Sequence, residues 1–597
     1  MDIREDLGPL RRRSAILFLA ALLALGALHL RLAHLQIVNG TYWRQMAENN
    51  RLRRVPQTSA RGRIYDRRGN VLADTHATWE LLLFPQDTRD LDRTALFLSQ
   101  IGIADAATLH QRLHTPGEVP LAPILAGEKL SWSQVARIRA RQSDYPELHV
   151  VSRFRRQYPH GEVTAHAIGH LRPVLQSELD ADSTLNANSL VGATGIEELK
   201  NALLSGADGE SWVIVSAVGQ QLGVVRERAA SSGTDIGLTL DLDLQTVARE
   251  AMADQAGAIV AMDVHTGALR VLYSAPSFDP NLFVGRLSRH EWENLRDDPR
   301  HPLQDRCSQG AYPPGSAIKP FLALGALTDG LMTPEWTVSC QGSLVLHGHP
   351  FRCWRRSGHG HVQLRRSLEA SCDCYYYLVG QRLGIEGIER WLKAFGFGQQ
   401  SGIGFPTERP GLIGNPEWSL RVRKHPWYAG ETVSVSIGQG PLLTTALQLA
   451  RALAAVANGG LLLTPYMVEG DNPAPPTRMA INGTALEQVQ AGLAMVVHGP
   501  EGTARSLARM PIAGKTGTAQ VARLQEGVLS KDLAPELQHH AWFVGWAPLD
   551  DPQLVVCVLV EHGGSGGGVA APMAGKIFAA ALGLSAEGPK PTPADIE

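Results

Sequence analysis

The sequence carries almost no net charge. Its 56 Lys and Arg residues face 58 Asp and Glu residues, leaving −2 over 597 residues. A whole-molecule field for polyanions is thereby excluded, and no nucleic acid is expected as a partner. The basic clusters Arg11-Arg12-Arg13 and Arg51-Leu52-Arg53-Arg54 are local features to be judged on their own. No repeat of roughly 20–50 residues is present, which excludes a solenoid or propeller. Charged residues make up only 19% and apolar ones 44%, a globular and not a disordered composition. A chain of this length exceeds one core, so about two to four domains are expected.

Long apolar runs are scarce too. The one candidate is residues 14–30, SAILFLAALLALGALHL, directly after Arg11-Arg12-Arg13. A spanning helix needs about 20 apolar residues, with a lower limit near 17. Arg31 or His34 can snorkel to lengthen the run, giving an anchor over 14–34. The basic flank places residues 1–13 in the cytoplasm and everything after the anchor outside. A cleaved signal with Ala24-Leu25-Gly26-Ala27 as its site, or a buried helix, are the other readings.

Cysteines are few, six in all, and none forms a C-x-x-C pair. Four fall between Cys340 and Cys374. Cys340, Cys353, His359 and Cys372 would suit a closed structural zinc site of three thiolates and one imidazole. His347, His349, His361 and Cys374 compete as ligands. In an exported chain, disulfides such as Cys340–Cys353 or unligated thiols remain open. Cys307 and Cys557 stand alone, Cys557 in a core strand.

Residues 35–235 lack a nucleophilic constellation. They hold three turn motifs: Arg61-Gly62-Arg63-Ile64-Tyr65-Asp66-Arg67-Arg68-Gly69-Asn70, Arg156-Gln157-Tyr158-Pro159-His160-Gly161 with His166 to Gly169, and Gly192-Ala193-Thr194-Gly195-Ile196-Glu197. The first reads as structural, with Asp66 paired to an arginine. Residues 75–150 match no motif and are expected to form a head subdomain. From 236 onward, apolar runs starting at Gly257 and Ala268 read as a β-hairpin, and runs at 541–546 and 554–560 as a second. With a strand through Lys515-Thr516-Gly517 they give five antiparallel strands. Helices fill the middle and follow Ala570. Residues 586–597 are Pro-rich and expected to be disordered.

Three short motifs supply the chemistry. Pro313-Pro314-Gly315 breaks the chain before Ser316, which opens a helix with Lys319 on the same face one turn on. A serine needs an adjacent base to act as nucleophile, and Lys319 is placed to be that base. Ser371-Cys372-Asp373 and Lys515-Thr516-Gly517-Thr518 follow in order. Gly517 lets the substrate backbone approach the strand closely. Each motif alone is weak; the ordered set is specific, because it is the motif set of serine acyl-transfer enzymes that react with penicillins.

These motifs, with the three turn motifs before them, resemble the class B penicillin-binding proteins, and Asp373 with Cys372 resembles the penicillin-binding protein 2 group. The resemblance implies an α/β multidomain chain: a single transmembrane helix, an elongated α+β pedestal over 35–235, and a transpeptidase-like domain over 236–585 with its five-stranded sheet covered by helices. It implies that Ser316 is the nucleophile, Lys319 its base, and Ser371 a proton relay among Lys319, Lys515 and the leaving amine. Asp373 stands where Asn is commoner. Lys515, Thr516, Gly517 and Thr518 would bind substrate, and the amides of Ser316 and Thr518 would form an oxyanion hole. The segment from Ser434 to Gly440, with Thr444 and Gln448, resembles a further family motif and is read as mainly structural.

The implied function is elongation-type D,D-transpeptidation of peptidoglycan stem peptides, inhibited by β-lactams, at the inner membrane with the catalytic domain in the periplasm. The implied partners are a SEDS-family glycan polymerase and elongation-complex membrane proteins. The implied cofactor is structural zinc, Cys372 occupying the ligand slot between serine and aspartate. A division-type enzyme, a carboxypeptidase or β-lactamase, and a non-enzymatic β-lactam sensor are the alternatives.

Overall fold

The computed structural model describes residues 8–43, 52–85, 88, 90–104, 124–182, 185, 189–215, 221–285, 287–521 and 534–583. The expected disordered tail 586–597 and residues 105–123 of the expected head lie outside the described residues. Helix α1 (Gly8–Ala33) contains the apolar run. Residues Arg12–Val38 are the one span among the described residues long and apolar enough to cross a membrane, with mean hydropathy 2.1 and none of its apolar window buried.

The chain forms two compact units, neither continuous in sequence. One comprises residues 1–60, 77–154 and 206–232. In it, Leu52–Gln57, Gly209–Val215 and Gln221–Arg228 form a three-stranded antiparallel sheet. Around residues 81–148 it has a small core of its own, built from Leu81, Leu83, Phe97, Leu98, Val135, Ile138 and Leu148. The expected head thus has the apolar nucleus that a subdomain needs.

The second unit comprises residues 61–76, 155–205 and 233–597. Its centre is an antiparallel sheet of β1 (Gly257–Asp263), β2 (Leu269–Ala275), β3 (Ala513–Ala519), β4 (His540–Ala547) and β5 (Leu554–Val560), in the order β2-β1-β5-β4-β3. Both expected hairpins are present. The central strand β5 is apolar at every position because both faces are covered. Val555, Cys557 and Leu559 face a core shared with α3 (Lys319–Thr328), α4 (Asp373–Ala394), α5 (Ala446–Ala457) and α6 (Gly483–His498). Val556, Val558 and Val560 face a second core shared with α2 (Leu242–Met252) and with α7 (Ala571–Leu582). Strand β3, at the sheet edge, carries Lys515.

The three turn motifs meet at one buried carboxylate. Glu197, fully buried, accepts from Arg61 Nε at 2.6 Å, Arg156 Nε at 2.7 Å and Tyr158 OH at 3.2 Å. Arg156 Nη1 also donates to the Gly62 carbonyl at 2.6 Å. This corrects one expectation. Asp66 pairs with no arginine among the described residues; it accepts from the backbone of Arg68 and Asn70, the Asn70 amide and the Leu242 N–H, closing its own turn. Arg68 pairs instead with Asp241 and Asp243. Removing the Glu197 charge leaves two buried guanidinium groups facing each other without it. Glu197→Gln is therefore expected to cost about 3–5 kcal/mol, read as a lowered urea midpoint, while folded molecules still label with penicillin.

Candidate active site

The nucleophile sits at a junction. Gly315–Ile318 form a single 3-10 turn, and α3 begins at Lys319 with Pro320 in its first turn. Proline is tolerated there because early helical N–H groups lack partners. Gly315 has φ +54°, and a Cβ on it would lie 2.6 Å from the Thr518 carbonyl oxygen and 3.1 Å from the Thr518 nitrogen. Only glycine lets the turn come this close to β3, which brings the Ser316 turn beside the Thr518 amide. Two further contacts fix the turn: Gly315 N donates to Gly438 O at 3.0 Å, and Trp542 Nε1 donates to Pro313 O at 2.9 Å. Ser316 itself is half-buried.

Behind it lies a buried polar cluster. Lys319 is fully buried; its Nζ donates to Asp373 Oδ1 at 2.6 Å, Ser371 O at 2.8 Å and Ser371 Oγ at 3.3 Å. Its ammonium also stands 5.3 Å from the Tyr376 ring centre. Ser371 has φ +51°, strained for a residue with a Cβ. That backbone turns its hydroxyl to receive Lys515 Nζ at 2.9 Å. Asp373 begins α4, and its Oδ2 accepts from Trp354 N at 3.0 Å. Burial raises the Asp373 carboxyl above the ordinary carboxylate value, while Lys319 and the Trp354 amide oppose the shift. Burial, reinforced by the like charge of Lys319, pushes Lys515 well below the ordinary lysine value.

The third motif splits across β3. Lys515 is fully buried and turned to Ser371, its Nζ also meeting Thr516 O at 3.1 Å. Thr516, on the opposite face by strand alternation, bonds Thr503 Oγ1 at 2.6 Å. Thr518 is exposed. Gly517 does not leave open space: a Cβ there would lie 2.6 Å from Pro314 O and 3.2 Å from Ala317 Cβ. Its role in this structure is to admit the nucleophile turn. That contact is not legible in the sequence, because Pro314 and Gly517 are some 200 residues apart and meet only through the fold. The segment Ser434 to Gly440 packs on the site: Gly438 seats Gly315, Gln439 Nε2 donates to Thr518 O at 3.3 Å, and Gln448 beyond it bonds Thr444, Thr445 and the carbonyls of Gln399 and Pro410.

Cys340, Cys353, His359 and Cys372 are all buried, and their ligand atoms lie within 4.8 Å of one another. His359 Nδ1 is 3.5 Å from Cys340 Sγ and 3.6 Å from Cys353 Sγ. All six cysteines are free, which removes the disulfide reading. His347, His349 and His361 are exposed and outside the cluster. Hydrogen bonds from the Cys372 and Cys374 thiols pull Cys353 far below its ordinary range, while the Cys353 partner pushes both of them up. A thiolate-bearing S₃N set of this closeness fits a tetrahedral structural metal.

An edge strand bearing Lys-Thr-Gly, a helix start bearing Ser-x-x-Lys and a loop bearing Ser-x-Asp, gathered against one helix-covered sheet, define the penicillin-binding transpeptidase class. Residues 257–579 match the family model described as penicillin-binding protein transpeptidase domain, and 56–238 match the penicillin-binding protein dimerisation domain. The chain is 36% identical to the peptidoglycan D,D-transpeptidase MrdA of Acinetobacter baumannii, over 97% of this chain and 88% of that one. It resembles the structure of a complex between PBP2 and MreC from Helicobacter pylori, with TM-score 0.78, 28% identity, and coverage of 89% and 99% of the two chains. It also resembles a chain in a structure titled for the coordination of polymerization and crosslinking by a peptidoglycan synthase complex, with TM-score 0.71, 30% identity, and coverage of 97% and 99%. The chain belongs to the MrdA, or penicillin-binding protein 2, family.

Proposed function

We propose that this chain is an elongation-type peptidoglycan D,D-transpeptidase that works through an acyl-enzyme on Ser316. The observation that carries the reading is the Lys319–Ser371–Lys515 hydrogen-bonded chain directly behind the Ser316 turn. In this reading the Lys319 proton rests on Asp373, its 2.6 Å partner, and the neutral Lys319 amine takes the proton of Ser316 as Oγ attacks the penultimate D-alanine carbonyl of a stem peptide. The Ser316 and Thr518 amides hold the oxyanion. The C–N bond breaks and D-alanine leaves, protonated through Ser371. Lys515, whose burial weakens its hold on a proton, suits that relay better than an exposed lysine would. Of the third motif, Thr518, on the same face of β3 as Thr516, carries the exposed hydroxyl that reaches the substrate carboxylate, while Lys515 acts from the other face through Ser371. An acceptor amine then attacks the Ser316 ester, forms the cross-link and returns the proton.

Arg12–Val38 serves as a single inner-membrane anchor, with the N-terminus cytoplasmic and the catalytic unit periplasmic. The relative solved with MreC supports an elongation-complex partner, and the peptidoglycan synthase relative supports pairing with a glycan polymerase, which we propose is of the SEDS family. The test uses labelled penicillin, then a D-Ala–D-Ala donor with an amine acceptor. Stable labelling plus cross-linked product supports the proposal. Rapid penicillin turnover would make the chain a hydrolase, and labelling without any product a sensor.

Zinc is the second part of the proposal. Cys340, Cys353, Cys372 and His359 would hold it, and when bound it supplies a rigid tetrahedral cross-link with no open position. Cys372 stands between Ser371 and Asp373, so these residues tie both catalytic side chains to the strand pair Val338–Cys340 and Gly360–Val362. Purified chain is expected to hold one zinc. Stripping it should expose reactive thiols, lower the melting temperature and slow penicillin acylation about tenfold or more. Less than a tenth of an equivalent in protein with free thiols, or acylation indifferent to chelation, would sink this part.

A further inference from the structure

Residues 416–428 are apolar, aromatic and basic together at the surface. Leu420, Val422 and Tyr428 are 57%, 56% and 59% exposed. The segment is a short helix, Pro416–Trp418, then a wide turn, Ser419–Arg423, closed by Lys424 at φ 63°. It is firmly built. The Arg423 guanidinium lies 4.8 Å from the Trp418 ring and 5.7 Å from the Trp427 ring, and is held by Glu431 and by Ser419 Oγ at 2.7 Å. Trp427 Nε1 donates to Thr432 Oγ1 at 2.9 Å. Leu420 and Val422 belong to neither core of this unit. An ordered ridge that keeps such side chains in water marks a docking surface.

Charge and position narrow the occupant. The ridge carries Arg421, Arg423 and Lys424; Arg423 is held by Glu431 and Arg421 lies 3.5 Å from the exposed Glu417, so Lys424 and the loosely paired Arg421 are the cations it offers, in a chain that is slightly acidic overall. Arg421 and Lys424 are exposed. The ridge is also continuous with the catalytic centre. Tyr428 leads into Ala429–Val435, a helix about 10 Å long, and Gly438 just beyond it seats Gly315. On the other side, a Cβ on Gly430 would lie 3.4 Å from Phe351, whose ring is 5.5 Å from that of Tyr377, one turn along α4 from Asp373.

We infer that this ridge docks the acceptor strand, an anionic glycopeptide whose free amine takes the acyl group from Ser316. The inference rests on the transpeptidase reading above. Sugar C–H faces lie against Tyr428, alanine methyls and side-chain methylenes against Leu420 and Val422, and stem-peptide carboxylates meet Arg421 and Lys424. The donor needs none of this surface, because its scissile bond is held at Ser316 and Thr518.

The test compares the full-length chain with Leu420→Ser/Val422→Ser and with Lys424→Glu, all at exposed positions. The probes are glycan strands carrying tetrapeptide stems, which lack the terminal D-alanine and so act only as acceptors, and labelled penicillin. Both variants should bind the strands about fivefold more weakly and show acceptor KM raised by a similar factor. Their kcat and penicillin labelling should stay within about twofold of the parent. Unchanged strand binding and acceptor KM would overturn the inference. So would a parallel loss of labelling, which would make the ridge a mere support of the nucleophile turn, or intact strand binding with loss of a protein partner. If the parent chain labels but never cross-links, the transpeptidase reading fails, and direct strand binding still decides the ridge.

Discussion

Ser316→Ala should abolish covalent labelling by penicillin and all cross-linking, with a loss on the order of a million-fold, as when other activated serines are removed. The same substitution should leave stability nearly unchanged, within about 1 kcal/mol. Ser316 is half-buried and its turn is held by backbone contacts of Gly315 and Pro313, not by its hydroxyl. Labelling at a fixed penicillin concentration, read beside a urea melt, separates the two effects. A variant that still labels, or one that fails to fold, would remove Ser316 from the role assigned to it.

Lys319→Met should strike both properties at once. Lys319 has no exposure, and its Nζ is 2.6 Å from Asp373 Oδ1. Taking away one member of a buried pair leaves the other uncompensated and costs about 3–5 kcal/mol. Acylation should fall by about a thousandfold or more, because the Ser316 proton loses its acceptor. The double variant Lys319→Met/Asp373→Asn should regain most of the lost stability, since no buried charge is left unpaired there, yet none of the lost activity. If activity returned with stability, Lys319 would be a structural counter-ion and not the base.

Much of this site was legible in the sequence because its parts are local. Pro-Pro-Gly before Ser316 marks a chain break, Ser-x-x-Lys puts two groups on one helical face, and the short apolar runs at 257–275 and 541–560, bounded by turn residues, read as strands. The Cys340, Cys353, His359 and Cys372 quartet was legible for the same reason: its four members lie in 33 residues and only their mutual approach remained to be found. What stayed hidden depends on distant pairs. The facing of Thr516 to Thr503 follows from strand alternation once β3 is placed, but nothing local says which face is the catalytic one. The meeting of Arg61, Arg156 and Glu197 joins positions 136 residues apart and could not be read from charge alone. The Gly517 contact with Pro314 was likewise beyond reach, since a glycine in an edge strand reads equally as space for substrate or for another part of the chain.

The most direct measurement is to trap the acyl-enzyme and locate it. The full-length chain is mixed with a D-Ala–D-Ala donor in the absence of an acceptor amine, quenched in acid, digested and mapped by mass spectrometry. The account predicts an ester on the peptide containing Ser316, with mass equal to the donor minus one D-alanine, that disappears into cross-linked product when the amine is added. An adduct on any other residue, or an ester on Ser316 that the amine cannot discharge, would contradict it.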